Sequence, residues 1–383
     1  MTTPLDVLRV DQVGSLLRPQ TLQDVFAKHG RGEATDAELK QAEDDAIREV
    51  VRKQEAHHLP VVTDGEYRRL NFQDSFANSV SGFAAQANTA QLTEQRAEGG
   101  QALTRWQSGQ HAAGPAIVYR RPVTHRLELR RNVPLEEFRF VQSITSTPAK
   151  VTFIGPDRIS QRFAWEESTS IYPGGLDEFV ADLVKVQRQV VSQLVEAGCK
   201  YVHIDAPSYT AYVDQPSLDQ MRSRGEDPAR NLERSIAADN AIVDGFEGVT
   251  FGIHLCRGNQ RSMWHREGTY EAIAEKLFGG LKHQRILLEY DDDRSGGFEP
   301  LRFVPRPGPV VVLGLITTKT PRAESADDLA KRIDEASHYL PLDQLALSPQ
   351  CGFASDMQGN LITEDDQWRK LDVMLETARN VWG

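Results

Sequence analysis

Eight short apolar runs, alternating with longer amphipathic stretches, predict a single (β/α)8 TIM barrel over residues 1–383. The runs are near-continuously apolar rather than alternating, as strands of a parallel sheet covered on both faces are. No G-x-G-x-x-G follows any of them, which removes the main reason to expect an open dinucleotide-binding sheet.

The first run is VLRVDQVGSL (7–16). A helix is expected over about 36–58, where TDAELKQAEDDAIREVVRKQEAH opens on a Thr/Asp cap and is dense in helix formers. PVVTDGE (60–66) is the second run and AKVTFIGP (149–156) the third. Between them, residues 84–146 break the rhythm. They are long and mostly polar, with alternating patches such as HRLELRR, and predict a peripheral insertion containing a hairpin after the second βα unit. A helix over about 175–198 leads to CKYVHIDAP (199–207), and a helix over about 229–244 leads to VTFGIHLC (249–256). RILLEYDD (285–292), PVVVLGLITT (309–318) and LALSPQCG (345–352) complete the set, with helices at about 324–339 and 363–381.

Composition narrows the function. Hydrophobic residues at 39% and charged residues at 26% fit a globular domain with a sizeable core. A net charge of −11 argues against nonspecific attraction to nucleic acid or to anionic membranes. No apolar run approaches the roughly 20 residues that span a bilayer, and the start lacks the features of a signal peptide, so a cytoplasmic protein is expected. Three cysteines, Cys199, Cys256 and Cys351, make no disulfide framework. Cys199, at the start of a strand, reads as a buried apolar filler.

The other two cysteines read differently. In GIHLCRGN, His254 and Cys256 are two residues apart and project from the same face at the C-terminal end of the fifth run. That end of a barrel is where active-site residues gather. Glu289 follows a fully apolar stretch of the sixth run, where a carboxylate is costly to bury unless paired or bound to a cation. Cys351 lies just past the eighth run, where Pro349 and Gly352 bend the chain. One imidazole, two thiolates and one carboxylate suit zinc. Structural zinc sites bring cysteines in close C-x-x-C pairs, whereas these donors come from separate strand ends, which favours catalysis. Asp291, two residues beyond Glu289, is the alternative fourth ligand.

With those residues in place, the chain resembles the C-terminal, catalytic half of cobalamin-independent methionine synthase, within the superfamily that also holds uroporphyrinogen decarboxylase. V-G-S (13–15), D-G-E (64–66), H-I-D-A-P (203–207), H-L-C (254–256), the Glu289 strand and P-Q-C-G (349–352) look like family motifs in family order. The resemblance implies zinc on His254, Cys256, Glu289 and Cys351, and homocysteine held by Ser15, Glu66 and Asp205. Three departures stand out. The family's N-terminal half is absent. Ala206 stands where the family carries Glu, and Lys319, in T-T-K-T-P, takes the place of a catalytic histidine.

The expected activity is zinc-dependent methyl transfer to a thiol, homocysteine giving methionine. A folate donor needs a proton at N5, and a lysine is ordinarily far too basic to supply it at neutral pH. A methylcorrinoid protein or another methylated compound is therefore expected before simple methyltetrahydrofolate, with Lys319 as the candidate catalytic group. The nearest alternative is the epoxyalkane:coenzyme M transferase type, against which Glu66 and Asp205 weigh because they suit an ammonium rather than a sulfonate. Porphyrin decarboxylation would need basic residues for several carboxylates, and a non-catalytic sensor of zinc or thiol would show no turnover.

Overall fold

The apolar runs form one parallel sheet. The computed structural model describes residues 4–72, 74–84, 122–161 and 168–383. Six of the eight predicted strands are present: β3 (Lys150–Ile154), β4 (Tyr201–Asp205), β5 (Thr250–Leu255), β6 (Arg285–Glu289), β7 (Val310–Ile316) and β8 (Leu345–Pro349). Each pairs in parallel with the next, in chain order. Every residue of all six is buried, which is why the runs lack polar alternation. Helices Leu176–Glu196, Pro228–Val243, Glu271–Gly280 and Ala326–Ser337 return the chain between strands, and Glu364–Trp382 follows the last. Between β6 and β7 two short 3-10 turns, Asp293–Ser295 and Glu299–Phe303, stand in place of a helix.

The first two predicted strands are reduced to single parallel bridges. Val10 bridges Leu347 on β8, and Val62 bridges Ala149 just before β3. Both segments turn early: Gly14 has φ +145°, while Gly65 and Glu66 have φ near +70° and +60°. The two edges of the sheet are therefore each flanked, and the flanking segments touch. Gln12 Nε2 donates to Val61 O (3.2 Å), Thr63 Oγ1 to Gly14 O (2.6 Å) and Leu16 N to Gly65 O (3.1 Å).

Of the segment 84–146, residues 85–121 lie outside the described residues. The first five residues of the HRLELRR patch fall in β2 (Val123–Leu129), which pairs antiparallel with β1 (Val80–Phe83). Helix Val133–Ile144 is not peripheral: Leu135, Phe138 and Val141 join the main core. At the N-terminal ends of the strands one buried carboxylate ties three of them together. Asp11 Oδ1 pairs with Lys150 Nζ (2.8 Å), while its Oδ2 accepts from Arg285 Nε (2.8 Å) and Tyr201 OH (2.5 Å). These partners are the first residues of β3, β6 and β4.

Candidate metal centre

Strand alternation brings His254 and Cys256 to the same end of β5, and register does the rest. Glu289 is the last residue of the neighbouring β6, and Cys351 lies two residues past β8. One donor atom from each of these four buried residues lies within 4.8 Å of all the others. Gly314 in β7 makes the approach possible, since a Cβ there would stand 2.7 Å from Leu288 O and 2.8 Å from Gln350 Cα. Asp291 is not part of the cluster; its Oδ1 pairs with Arg294 Nη2 at 2.7 Å.

The two sulfurs are 3.4 Å apart, and Gly258 N donates to Cys256 Sγ at 3.2 Å. The neighbouring Cys351 thiol, together with burial, pushes Cys256 well above the usual thiol range. A thiol so disfavoured as thiolate needs a cation beside it to ionise. Both ring nitrogens of His254 are buried with no hydrogen-bond partner among the described residues. Burial disfavours the imidazolium, but Cys256, Asp205 and Glu289 outweigh it and raise its pKa. Burial also pushes Glu289 up, yet the charges of Lys319, Arg294 and His254 outweigh it and hold the carboxyl below its ordinary value. Arg257 N donates to Glu289 Oε1 (2.8 Å), and Arg294 Nη2 stands 3.2 Å from Oε2.

This donor set fits zinc. Tetrahedral zinc with Zn–S bonds of about 2.3 Å holds two sulfurs roughly 3.8 Å apart, so the 3.4 Å pair needs to open by only a few tenths of an ångström to share one ion. An orphaned buried imidazole beside two thiols is costly, and a soft divalent cation removes that cost.

Each of the other residues singled out in the sequence has a definite place. A methyl group at Gly352 would overlap Ser15 Oγ, and Phe353 N donates to Ser15 O (2.9 Å), so Ser15 lies against the loop that carries Cys351. Glu66, with its left-handed backbone, accepts from Thr152 Oγ1 at Oε1 (2.6 Å), while its buried Oε2 has no partner among the described residues. Asp205 Oδ1 has His203 Nε2 beside it at 3.3 Å. Burial raises the Glu66 pKa, and the nearby Asp205 charge adds to this against the pull of Arg69. For Asp205, burial is outweighed by His203, His254 and Arg69, and its pKa is lowered. Lys319 is buried, with Nζ donating to Asn259 Oδ1 (3.3 Å).

The profile of the family "Cobalamin-independent synthase, catalytic domain" matches residues 10–256 and 299–380. The chain belongs to this family. The uncharacterized protein YxjG of Bacillus subtilis is 36% identical over 377 residues, covering 98% of this chain and 94% of that one. Methionine synthase of Saccharolobus solfataricus is 24% identical over 385 residues, covering 98% and 96%. Among solved structures, a Listeria monocytogenes protein described as a candidate vitamin-B12-independent methionine synthase superposes with a TM-score of 0.75 at 28% identity. That match covers 100% of this chain and 99% of the other. The resemblance read from the strand-end motifs is thus borne out.

Several residues around this methionine synthase-like centre escaped the sequence reading. Arg294 follows DDD in the chain, and three carboxylates ahead of one arginine were a usable signal. His203 is two residues before Asp205, the same i, i+2 spacing that exposed His254 and Cys256. Asn259 joins Lys319 to Gly352 O (2.7 Å) and Ser355 Oγ (3.1 Å), and nothing in the sequence announces that.

Proposed function

We propose that the protein is a zinc-dependent methyltransferase that converts homocysteine to methionine. The observation that carries this reading is the four-donor cluster of His254, Cys256, Glu289 and Cys351 in a chain of this family. Zinc bound there would supply Lewis acidity, lowering the pKa of the substrate thiol so that thiolate is available at neutral pH. Ser15 offers its hydroxyl to the substrate α-carboxylate. Glu66 and Asp205 receive the α-ammonium, and the unpartnered Glu66 Oε2 supports this role. The thiol proton leaves to solvent, the sulfur forms the new S–C bond, and the methyl–donor bond breaks with its electron pair departing on the donor. The ammonium-suited carboxylates favour homocysteine over a sulfonate-bearing thiol.

Lys319 stands at 3.3 Å from Asn259 in the place of a histidine that could protonate a departing folate nitrogen. We infer that the donor is a methylcorrinoid or another methylated compound rather than simple methyltetrahydrofolate. We also read the segments at Val10 and Val62 as completing a (β/α)8 barrel, with 84–146 as an insertion whose last part returns to the core as a helix. Among the described residues no helix is long and apolar enough to cross a membrane, and a cytoplasmic location fits the acidic composition. The test is to incubate zinc-loaded protein with homocysteine and a panel of methyl donors and to seek methionine by mass. Absence of product with every donor, while homocysteine still binds, would overturn the reading.

A further inference from the structure

Glu66 is held by one oxygen only, and the residue that holds it comes from β3. Thr152 Oγ1 donates to Glu66 Oε1 at 2.6 Å and accepts from Arg69 Nη1 at 3.0 Å. Arg69 has little left for Glu66. Its Nε and Nη2 are engaged by Glu137 (3.0 and 2.6 Å), and Nη2 also reaches Thr152 O (2.8 Å). The direct Arg69–Glu66 contact is longer, at 3.2 Å. The hydroxyl therefore turns a saturated guanidinium into a directional donor toward one carboxylate oxygen, leaving Oε2 buried and without a partner among the described residues. A buried carboxylate oxygen without a partner is costly unless a ligand completes it.

The other side of Thr152 explains why its placement is exact in this fold. Its Cγ2 lies 2.8 Å from where a Cβ would stand on Gly14, next to Ser15. Gly14 has φ +145°, so glycine is favoured there on backbone grounds as well. One methyl thus packs against the Ser15 loop while the hydroxyl of the same side chain orients Glu66.

We propose that Thr152 is a positioning residue that aims Glu66 Oε2 at the substrate ammonium and so sets the preference for α-amino thiols over thiols lacking that group. The proposal rests on the function proposed above. Removal of the hydroxyl leaves Glu66 Oε1 to Arg69 alone, which draws the carboxylate toward the Arg69–Glu137 pair and away from the ligand.

The experiment measures binding of homocysteine and of 4-mercaptobutanoate, its counterpart without the amino group, to the zinc-loaded wild type and to Thr152→Val and Thr152→Ser. Zinc content and melting temperature are recorded for each. Hydrogen bonds to charged groups of this kind correspond to about a ten-fold change or more. The wild type is expected to prefer homocysteine, Thr152→Val to lose about ten-fold or more of that preference, and Thr152→Ser to retain it within about three-fold, since it keeps the hydroxyl. Binding of 4-mercaptobutanoate should be unchanged across the three. If Thr152→Val discriminates as the wild type does, or weakens both ligands equally, the proposal fails and the function stands. A wild type with no preference for homocysteine overturns both. Should Thr152→Val fold poorly, the Ser variant and Arg69→Lys, which keeps the charge but loses the fork, carry the same comparison; an unaltered preference in Arg69→Lys overturns the proposal.

Discussion

The sulfurs of Cys256 and Cys351 stand 3.4 Å apart although 95 residues separate them in the chain. Each reaches the other from a different strand end, and neither reads as a metal ligand without its partner. Replacing either with Ser exchanges a soft donor for a hard one, so Cys351→Ser should bind zinc far more weakly than the wild type. Elemental analysis after dialysis against a competing chelator measures this. Full zinc occupancy in the Cys256→Ser, Cys351→Ser double variant would show that the metal sits elsewhere.

Glu66 gives a pH signature. Burial and the Asp205 charge raise its pKa, so as pH falls the carboxyl takes up a proton earlier than an ordinary glutamate. The substrate ammonium then loses one counter-charge, and KM for homocysteine should climb as pH drops through the raised Glu66 pKa. Glu66→Gln should have a high KM with that limb flattened. An identical pH profile in wild type and Glu66→Gln would rule out the assignment.

Lys319 decides between donors. With lysine where a protonating histidine would serve folate, simple methyltetrahydrofolate should be a poor or inactive donor for the natural protein. Lys319→His alone should not create full folate-dependent activity. Rapid methionine formation from homocysteine and methyltetrahydrofolate would sink this expectation.

Much of this centre was legible because a strand reports which side chains share a face. His254, Cys256 and Glu289 needed only alternation and burial cost to be singled out. Arg69 and Thr152 could not be found that way: the contacts that give them meaning reach 68 residues to Glu137 and 86 residues from Glu66 to Thr152. Helix Val133–Ile144 was hidden for another reason. Glu136, Glu137 and Arg139 interrupt its Leu135–Phe138–Val141 stripe and make the segment read as polar. The first two strands were overread, since VDQVGS and VTDGE turn after a single bridging residue.

Asp239, on helix Pro228–Val243, links stability to pH. Burial is the main cause that raises its pKa to about 7, against the Tyr209 hydroxyl, which donates to Oδ2 at 2.6 Å. An unfolded aspartate titrates near 3.9. Between about pH 4 and 7 the folded protein therefore holds a proton that the unfolded chain has lost, and stability contributed by this group falls as pH rises through that window. Asp239→Asn can still accept from Tyr209 and carries no charge. It should be more stable than the wild type at pH 8, by about 1–3 kcal/mol, and close to it at pH 5. Urea unfolding at both pH values checks this, and a variant equally destabilised at both would refute it.

The spacing between donors also orders events during synthesis. A growing chain presents His254 and Cys256 first, and Glu289 next. The set is finished only when Cys351 emerges, 95 residues after Cys256. At about 5–20 residues per second, that interval is roughly 5–20 s. Through it, the imidazole–thiol pair, joined part-way by the Glu289 carboxylate, waits with no second sulfur to hold a metal firmly. Loading of the proposed zinc would therefore belong to the last stage of folding, and an excess of a tighter-binding ion such as copper would find its easiest entry before the second sulfur arrives.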